Sequence, residues 1–259
     1  MNKYKHEERI HNLSDANIIV PEIVKLLDPK SVVDFGCGLG TFLHVFKRLG
    51  IKDVLGIDGP WVDKKLLYNY IKQEEFLECN LENKIILDKK YDLVLSLEVA
   101  EHLTEESASL FVENLVNAGN VILFSAAIPH QGGQNHINEQ WLTYWEEKFL
   151  EYNYVIHDII RPIFWDNPEI FWWYKQNIVV AAHKDYELKF VKEIVPMRNI
   201  VHYELYLLKS KELYECNSRL TKIMTGKVNP INYFKWFLYS VLGYNLVKKI
   251  KKILITDSK

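Results

Sequence analysis

Short apolar runs alternate with segments of helical length in the first half of the chain, and this alternation restricts the fold more than any other feature. The runs are SVVDF (31–35), DVLGID (53–58), EFLECNL (75–81), YDLVLSL (91–97) and NVILFSAA (120–127). Helical spacing of apolar residues is found over 17–27, 41–49 and 106–117. Apolar strands that alternate with helices are typical of a parallel sheet covered on both faces. The sequence therefore predicts an α/β fold.

The pattern changes after residue 128. Two β segments, 152–165 and 175–183, are predicted there, joined by an aromatic loop, and we expect them to form an antiparallel pair that closes the sheet. From residue 185 onward the chain is helical in pattern and more basic. We therefore predict one α/β domain over residues 1–184 and a helical C-terminal extension over residues 185–259.

The composition excludes several classes of protein. With 259 residues, 48% of them hydrophobic and 25% charged, the chain has the make-up of a folded domain with additions. Its net charge of −2 gives no reason to expect a nucleic-acid partner. Cys37, Cys79 and Cys216 are too few and too scattered for a disulfide framework or a cysteine zinc site. The N-terminus lacks the apolar part of a secretory signal, and we found no run of about 18 apolar residues, so we expect a cytoplasmic protein.

The first predicted strand leads into the glycine-rich segment DFGCGLGTF. A strand followed by closely spaced glycines and then a helix directs backbone N–H groups at a ligand beyond the strand end. A dinucleotide site is the main alternative, but its G-x-G-x-x-G pattern fails because Thr41 occupies the place of the third glycine. Asp34 within the segment would repel a pyrophosphate and attract an ammonium group.

Polar side chains end the next two predicted strands. Asp58 lies 22 residues after Gly36, where a carboxylate can accept hydrogen bonds from both hydroxyls of a ribose. Asn80 ends the third predicted strand, where an amide can pair with the edge of an adenine. These residues could be turn residues only. The succession of glycine loop, Asp58 and Asn80 at three strand ends instead favours a ligand that contains a nucleoside.

The segment LSLEVAEHLTEE places Glu98, Glu101 and His102 directly after the fourth predicted strand. Spacings of three and four residues put their side chains on one face of a turn or helix. A fourth residue, His136, lies in the loop AIPHQGGQNHINEQW after the fifth strand. Two carboxylates and two imidazoles suit Mg²⁺, Mn²⁺, Fe²⁺ or Zn²⁺. Two alternatives stay open: the glutamates are a charged helix start, or His102 or His136 is a general base that needs no metal.

The ordered motifs DFGCGLGTF, GIDGPW, LSLEVAEHL, LFSAAIPHQGGQNHINEQWLTYW and WWYKQN resemble the class I S-adenosylmethionine-dependent methyltransferases over about residues 14–184. Within that superfamily the chain resembles enzymes encoded beside bacterial surface-polysaccharide genes, such as those for capsule and lipopolysaccharide. The resemblance implies a Rossmann-like, seven-stranded, mostly parallel sheet whose last strand is antiparallel, with the cofactor over the first two strands. The cofactor-binding residues that it implies are Asp34, Gly36, Cys37, Gly38, Gly40, Asp58, Gly59, Asn80, Leu81 and Leu97. Asn80 departs from the family, which usually has aspartate there, although an amide oxygen can still accept from the adenine amino group.

The acidic and histidine residues also resemble the metal site of small-RNA 2′-O-methyltransferases and of some quinone-precursor O-methyltransferases. That resemblance implies that Glu98, Glu101, His102 and His136 hold one divalent ion against an acceptor hydroxyl, and we expect Glu98, His102 and His136 to be catalytic. The function expected is O-methylation of a sugar, or of a sugar-linked group such as a phosphoramidate-type decoration, in surface polysaccharide biosynthesis. The alternatives are RNA 2′-O-methylation, N-methylation of a small molecule, and a non-catalytic S-adenosylmethionine-binding protein.

Three further features have two interpretations each. The loop HQGGQN is predicted to be a mobile lid, with His130 near substrate, or else a plain connector. The aromatic group Trp165, Phe171, Trp172, Trp173 and Tyr174 is predicted to contribute to a stacking platform or to the core. Arg161 is a candidate for a substrate phosphate or for a surface salt bridge.

The tail segment 231–254 is rich in aromatic and apolar residues and has no acidic residue. Its basic residues are Lys235, Lys248, Lys249, Lys251 and Lys252. Such a segment is expected to contact the anionic inner face of a membrane, or to pack on its own domain or on a second copy of the chain. The sequence leaves open whether the protein is a homo-oligomer.

Overall fold

The computed structural model describes residues 13–188 and 199–226. Two compact units divide the chain between Leu205 and Tyr206. The domain boundary predicted after residue 184 falls inside the first unit, and the segment 189–198 just beyond it lies outside the described residues. The division into domains therefore stays a prediction.

A seven-stranded sheet forms the centre of the first unit. Its strands are β1 (Ser31–Phe35), β2 (Asp53–Asp58), β3 (Phe76–Glu78), β4 (Leu93–Leu97), β5 (Val121–Ser125), β6 (Tyr154–His157) and β7 (Val179–His183). The spatial order is β3-β2-β1-β4-β5-β7-β6. Pairing is parallel from β3 to β5, and β7 runs antiparallel to both β5 and β6. The predicted Rossmann-like sheet with its antiparallel closing strand is confirmed.

Helices cover both faces of this sheet. The helices of the described chain are α1 (Ser14–Leu27), α2 (Thr41–Arg48), α3 (Lys64–Leu67), α4 (Ala108–Ala118), α5 (Leu142–Glu151), α6 (Arg161–Phe164), α7 (Trp172–Asn177) and α8 (Tyr203–Met224), with single 3-10 turns at Gln73–Glu75, Ala100–His102 and Glu105–Ser107. Successive strand residues point to opposite faces, so Val32 packs with the side chains of α1 and α2, whereas Val33 and Phe35 pack with those of α4 and α5. Two apolar layers therefore enclose the sheet.

The third β segment and the segments around the aromatic loop differ from their predictions. The third strand ends at Glu78, so Asn80 lies in the turn that follows it instead of ending the strand. The segment 175–177, predicted as part of a strand, is the end of α7. Its three polar side chains are all buried and hydrogen-bonded to other segments. Tertiary contacts therefore override the local strand pattern.

The predicted membrane-contacting segment 231–254 lies outside the described residues, as do residues 1–12. Within the described residues, none of the helices combines the length and the apolar character that crossing a bilayer requires.

Candidate active site

The candidate site is the crevice at the carboxyl ends of β1 and β4. From β1 the chain adds strands in one direction, to β2 and β3, and from β4 it adds them in the other. The strand order therefore reverses between β1 and β4, and ligands of open α/β sheets bind beyond the strand ends at such a reversal. The segments that follow β1, β2, β4 and β5 line this crevice.

The glycine loop after β1 has a backbone that only glycine adopts easily. Gly36, Gly38 and Gly40 have φ angles of +86°, +53° and +77°. A Cβ atom on Gly36 would lie 2.4 Å from Cγ2 of Val99, which follows β4. Gly36 is therefore required both by its conformation and by the close approach of the β4 end.

Two buried carboxylates lie beside the loop. Asp58 accepts hydrogen bonds from the backbone N–H groups of Gly38 (2.8 Å) and Gly59 (2.6 Å), and burial raises its pKa to about 6. The pKa of Asp34 is raised to about 7 by burial and by the charge of Asp58. The ring of Trp61 covers Gly59, and its side chain hydrogen-bonds to Asp58. A cationic ligand in the crevice would stabilise both carboxylates in their charged forms.

The other residues predicted to bind cofactor have varied surroundings. Cys37 is buried, and burial together with the two carboxylates raises the pKa of its thiol. Leu81 is buried and Leu97 is partly buried. Asn80 is exposed, and its Oδ1 accepts from the backbone N–H of Glu82 at 3.1 Å, so the amide organises its own turn. The contact predicted between Asn80 and adenine stays a prediction.

Glu98 is fixed by hydrogen bonds to three other segments. Its φ angle is +56°, and its backbone N–H donates to the backbone oxygen of Ser125 at the end of β5 (3.0 Å). Its carboxylate accepts from Nδ2 of Asn177 (3.0 Å) and from Nε2 of Gln131 (2.9 Å). Burial raises the pKa of Glu98 to about 7, although these hydrogen bonds lower it in part. A carboxyl group with this pKa can accept or donate a proton near neutral pH.

A chain of buried amides extends from Glu98 to the segment before α8. Oε1 of Gln131 accepts from Nε2 of Gln176 (3.1 Å) and from Nδ2 of Asn177 (3.0 Å). Oε1 of Gln176 in turn accepts from the backbone N–H of His202 (2.8 Å). Sequence reasoning missed these amides, and their only signal was the polar character of HQGGQN and WWYKQN inside otherwise apolar surroundings.

Lys175 anchors α7, the helix that also carries Gln176 and Asn177. Its side chain is 1% exposed, and Nζ donates to the Glu204 carboxylate (2.6 Å) and to the backbone oxygen of Asn167 (3.1 Å). A buried ammonium needs such a partner, because an unpaired charge in the interior is costly. Glu204 therefore contributes to holding α7, which carries Gln176 and Asn177, in place.

Glu101, His102 and His136 form a cluster whose ligand atoms lie within 4.8 Å of one another. Glu101 is fully buried, and neither oxygen of its carboxylate has a hydrogen-bond partner of good geometry among the described residues. Burial and the charge of Glu98 raise the pKa of Glu101 well above its usual range. An orphaned buried carboxylate beside two imidazoles is a donor set that fits a divalent cation. Three of the four predicted ligands are thus brought together, and Glu98 lies outside this group.

Backbone hydrogen bonds hold the His136 loop against the Ala100–His102 turn. The backbone oxygen of Glu101 accepts from the N–H groups of Ile137 (2.9 Å) and Asn138 (3.0 Å). Nδ1 of His136 lies 2.9 Å from Oε1 of Glu139, which fixes the ring as second-sphere carboxylates do at metal sites. A Cβ atom on Gly133 would lie 2.1 Å from Nε2 of His136, so only glycine leaves room for the ring.

Phe171 and the aromatic side chains of α7 form a group of rings in contact with one another. Tyr174 lies one helical turn before Asn177 in α7. Its ring centroid is 5.8 Å from that of Phe42, which lies in the first turn of α2. Phe171 and Trp173 stack at 4.2 Å, and both are partly exposed. These rings connect the cofactor loop with the Glu98 region.

Arg161 and His130 have different environments. Arg161 is buried and donates to both carboxylate oxygens of Asp158 (2.7 and 2.8 Å), so it is neither a surface salt bridge nor positioned to meet a substrate phosphate. His130 is exposed on the loop after β5, with a φ angle of +66°. Its predicted contact with substrate stays a prediction.

Comparison with known proteins is consistent with this geometry. A protein-family model described as "Methyltransferase domain" matches residues 7–149, more than half of the chain. The ubiquinone biosynthesis O-methyltransferase of Dictyostelium discoideum mitochondria is 30% identical over 133 residues, which cover 46% of this chain and 38% of that one. The ubiquinone biosynthesis O-methyltransferase of Rhodopseudomonas palustris is 29% identical over 82 residues, which cover 30% of this chain and 32% of that one. The match therefore spans about a third of the length of these relatives.

Solved structures show the same fold. The crystal structure of Streptomyces venezuelae DesVI aligns with a TM-score of 0.51 and 11% identity, over 69% of this chain and 99% of that one. The glycine loop, the acidic end of β2 and the strands β1 to β5 lie within residues 7–149, which the family model matches. The protein belongs to the methyltransferase domain family and has the fold of the class I S-adenosylmethionine-dependent methyltransferases.

Proposed function

We propose that this protein is an S-adenosylmethionine-dependent methyltransferase that methylates a hydroxyl of a sugar or sugar-linked group in bacterial surface polysaccharide biosynthesis. The observation that carries the proposal is the Glu101–His102–His136 cluster, which begins two residues after Val99, the residue packed against Gly36 of the glycine loop. A methyl donor and a metal-assisted acceptor oxygen can therefore meet in one place. The names of the two relatives, both O-methyltransferases, support oxygen as the atom methylated.

The cofactor half of the crevice suits S-adenosylmethionine by charge and by shape. Asp34 offers a carboxylate to the ammonium group of its methionine part, and Asp58 offers one to the ribose hydroxyls. The positive-φ glycines let the backbone approach the ligand closely. Trp61 hydrogen-bonds to Asp58. When the cofactor binds, Asp58 would exchange this hydrogen bond for hydrogen bonds from the ribose hydroxyls.

The metal half would be formed by Glu101, His102 and His136. A divalent ion bound there lowers the pKa of a coordinated hydroxyl and so supplies a better nucleophile at neutral pH. Glu139 would keep the His136 ring in its binding orientation through the 2.9 Å hydrogen bond to Nδ1. Ligand types alone leave Mg²⁺, Mn²⁺, Fe²⁺ and Zn²⁺ as candidates.

In this proposal Glu98 accepts the proton of the acceptor. In the transfer, the acceptor oxygen bonds to the methyl carbon as the bond from carbon to sulfur breaks, S-adenosylhomocysteine leaves, and the hydroxyl proton passes to the Glu98 carboxylate. The pKa of about 7 matches this role at neutral pH. Gln131 and Asn177 hold the carboxylate in position throughout.

The wall of the crevice supports a sugar as the acceptor. Sugars present hydroxyls that amide side chains bind and flat C–H faces that pack on aromatic rings. Gln131 and Asn177 stay bound to Glu98, so the proposal rests on the rings. Trp173 and Tyr174, both partly exposed, would pack on the C–H face of a sugar. The net charge of −2 gives no reason to propose a nucleic-acid acceptor.

A second candidate acceptor is a phenolic hydroxyl of a quinone precursor. The names of both curated relatives favour it, and the same aromatic wall would stack on a phenol ring. A cytoplasmic location and contact of the tail with the inner membrane face fit either acceptor, and both stay predictions.

Metal content measured by elemental analysis, on protein purified without chelators, tests the central feature. We expect near-stoichiometric divalent metal in the wild type and none in Glu101→Ala/His136→Ala. The matched control is His130→Ala, which removes an exposed imidazole from the same loop and should keep the metal. A wild type that stays metal-free after Mg²⁺, Mn²⁺, Fe²⁺ and Zn²⁺ are each supplied would contradict the metal site.

Release of S-adenosylhomocysteine in the presence of candidate acceptors tests the substrate class. Sugar nucleotides and polysaccharide precursors are compared with catechol-type quinone precursors at equal concentration. We expect turnover with the sugar series, abolished by Glu98→Gln. Turnover with catechols alone would replace the sugar proposal by the second candidate.

A further inference from the structure

Helix α8 carries a long row of exposed apolar side chains. Its apolar residues that are at least half exposed are Tyr203 (51%), Tyr206 (65%), Leu207 (58%), Leu213 (63%), Tyr214 (75%), Leu220 (51%) and Met224 (85%). Isolated exposed apolar residues are ordinary, whereas a continuous row along one helix is typical of an interface. The proposed methyl transfer does not use this row.

The row follows a heptad repeat. Positions three and four residues apart in alternation give Tyr206, Ser210, Leu213, Asn217, Leu220 and Met224, which are d, a, d, a, d and a of the repeat. The d positions Tyr206, Leu213 and Leu220 are all apolar, as in the seam of a coiled coil, whereas Ser210 and Asn217 make two of the three a positions polar. Leu207 and Tyr214, at the neighbouring e positions, widen this seam.

The charged residues of α8 avoid the seam. Between 206 and 224 they are Lys209, Lys211, Glu212, Glu215, Arg219 and Lys222. All of them except Lys209 occupy the b, c and f positions, which point away from a partner helix. Ion pairs such as Lys209 with Glu212 (3.2 Å) and Arg219 with Glu215 (3.8 Å) link neighbouring turns of the helix itself.

We propose that α8 pairs with α8 of a second copy of this chain, as a parallel, in-register coiled coil that makes the protein a dimer. In a symmetric pair every seam residue meets its own counterpart, so the apolar residues at d form continuous layers. Asn217 at a meets the other Asn217, and each amide can then both donate and accept. A single asparagine at an a position is a feature that fixes register and favours two strands.

Charge favours a second copy over the chain's own tail as the partner. Residues 206–224 carry four basic and two acidic side chains, and the segment 231–254 carries five lysines and no acid. A second α8 therefore brings a net charge of +2 to a helix that is already positive, whereas the tail segment would bring +5 and a stronger repulsion. Two copies of α8 keep their mixed charges on the outward faces, and Lys209 at g can lie over the ring of Tyr214 at e of the partner helix.

The oligomeric state of the full chain, measured by sedimentation equilibrium over a dilution series, tests the proposal. We expect a reversible dimer that becomes a monomer in Leu213→Glu/Leu220→Glu, with the dissociation constant raised by at least about a hundredfold. The matched control is Leu208→Glu, the same substitution at an outward f position, which should stay a dimer. A monomeric wild type, or a double variant that still dimerises, would overturn the proposal.

Cysteine cross-linking tests the parallel register. In a Cys216→Ser background, Ser210→Cys puts a thiol at an a position, where two parallel in-register helices bring both copies together. Ser218→Cys, at an outward b position, is its isosteric control. Disulfide-linked dimer with Ser210→Cys alone is expected under mild oxidation. Equal cross-linking of both variants, or no cross-linking of Ser210→Cys, would contradict the parallel, in-register pairing.

Asn217 gives a third readout that a nonspecific apolar contact would not show. Asn217→Val should tighten association and add species larger than the dimer, because the polar layer that restricts the assembly to two strands is lost. Unchanged dimerisation in this variant would contradict a seam through residue 217.

Discussion

The two halves of the crevice are built in different ways. The glycine loop and the two carboxylates of the cofactor half come from one short stretch, residues 34–59. The acceptor half consists of the Glu101–His102–His136 cluster, Glu98 and the buried amides that hold Glu98. It joins side chains from segments that lie up to about 100 residues apart, between Glu98 and Glu204. A site made from local backbone can be inferred from a motif, whereas one made from distant side chains exists only once the fold is complete. The acceptor half should therefore be more sensitive to changes far from the chemistry.

The largest effect is expected for Arg161→Met, which removes the buried partner of Asp158 beneath the acceptor half. The loss of two charge-assisted hydrogen bonds to the buried Asp158 carboxylate should lower the free energy of unfolding by about 3–5 kcal/mol. Urea unfolding followed by circular dichroism measures the change. The double variant Asp158→Leu/Arg161→Met should recover most of the loss. A single-variant loss under about 1 kcal/mol would show that this pair does not support the acceptor half.

Gly36→Ala should strongly weaken the binding of cofactor. A φ angle of +86° and a Cβ atom 2.4 Å from Val99 together cost about 2–4 kcal/mol in the conformation that binds cofactor. The dissociation constant of S-adenosylmethionine should rise by about 30- to 1,000-fold, measured by titration calorimetry. Gly50→Ala is the control, because Gly50 also has positive φ but no atom lies within 4 Å of its added Cβ. Equal losses in both variants would argue against a specific role for Gly36.

Gly133→Ala should affect the acceptor half alone. The added Cβ would lie 2.1 Å from Nε2 of His136 and so must displace the imidazole. The affinity for divalent metal should fall by about 10- to 100-fold, as expected when a ligand loses its orientation. Metal titration monitors this change, and the affinity for S-adenosylhomocysteine should stay the same. Parallel loss of both affinities would mean that the two halves are not separable.

The smallest effect concerns pH and the cofactor half. Asp34 has a pKa raised to about 7 and should bind the ammonium group of the cofactor only when it is charged. Protonation below pH 7 should therefore raise the dissociation constant by up to about tenfold per pH unit, and affinity should level off above pH 7. Calorimetry between pH 5.5 and 8 checks this, with Asp34→Asn as the control that should bind weakly at every pH. A pH-independent wild type would remove Asp34 from the ammonium contact.

The cofactor half was largely predictable from sequence because its signals are local. The spacing of Gly36, Gly38 and Gly40 after an apolar strand indicated the loop, and Asp58 followed from its place at the next strand end. The parallel sheet followed from the alternation of apolar runs with helical segments, and the structure confirms it.

The acceptor half was only partly predictable. Glu101, His102 and His136 were inferred as a group from spacing and resemblance, and they lie together. The amides Gln131, Gln176 and Asn177 were missed, because a buried amide has no periodic signal and its partners in other segments lie 26 to 79 residues away. The seam of α8 was missed for a different reason, since its tyrosines, serine and asparagine dilute the apolar heptad.

The ion pair between Lys175 and Glu204 also determines how small a working fragment of this chain can be. Family likeness ends near residue 149 and the last strand ends at His183, so a fragment cut after residue 184 would keep the whole sheet. It would nevertheless lose the Glu204 carboxylate, which neutralises the buried ammonium of Lys175, whose side chain is 1% exposed. It would also lose the N–H group of His202, which donates to Gln176 and completes the amide chain. Truncations meant to isolate the catalytic part should therefore end beyond residue 204.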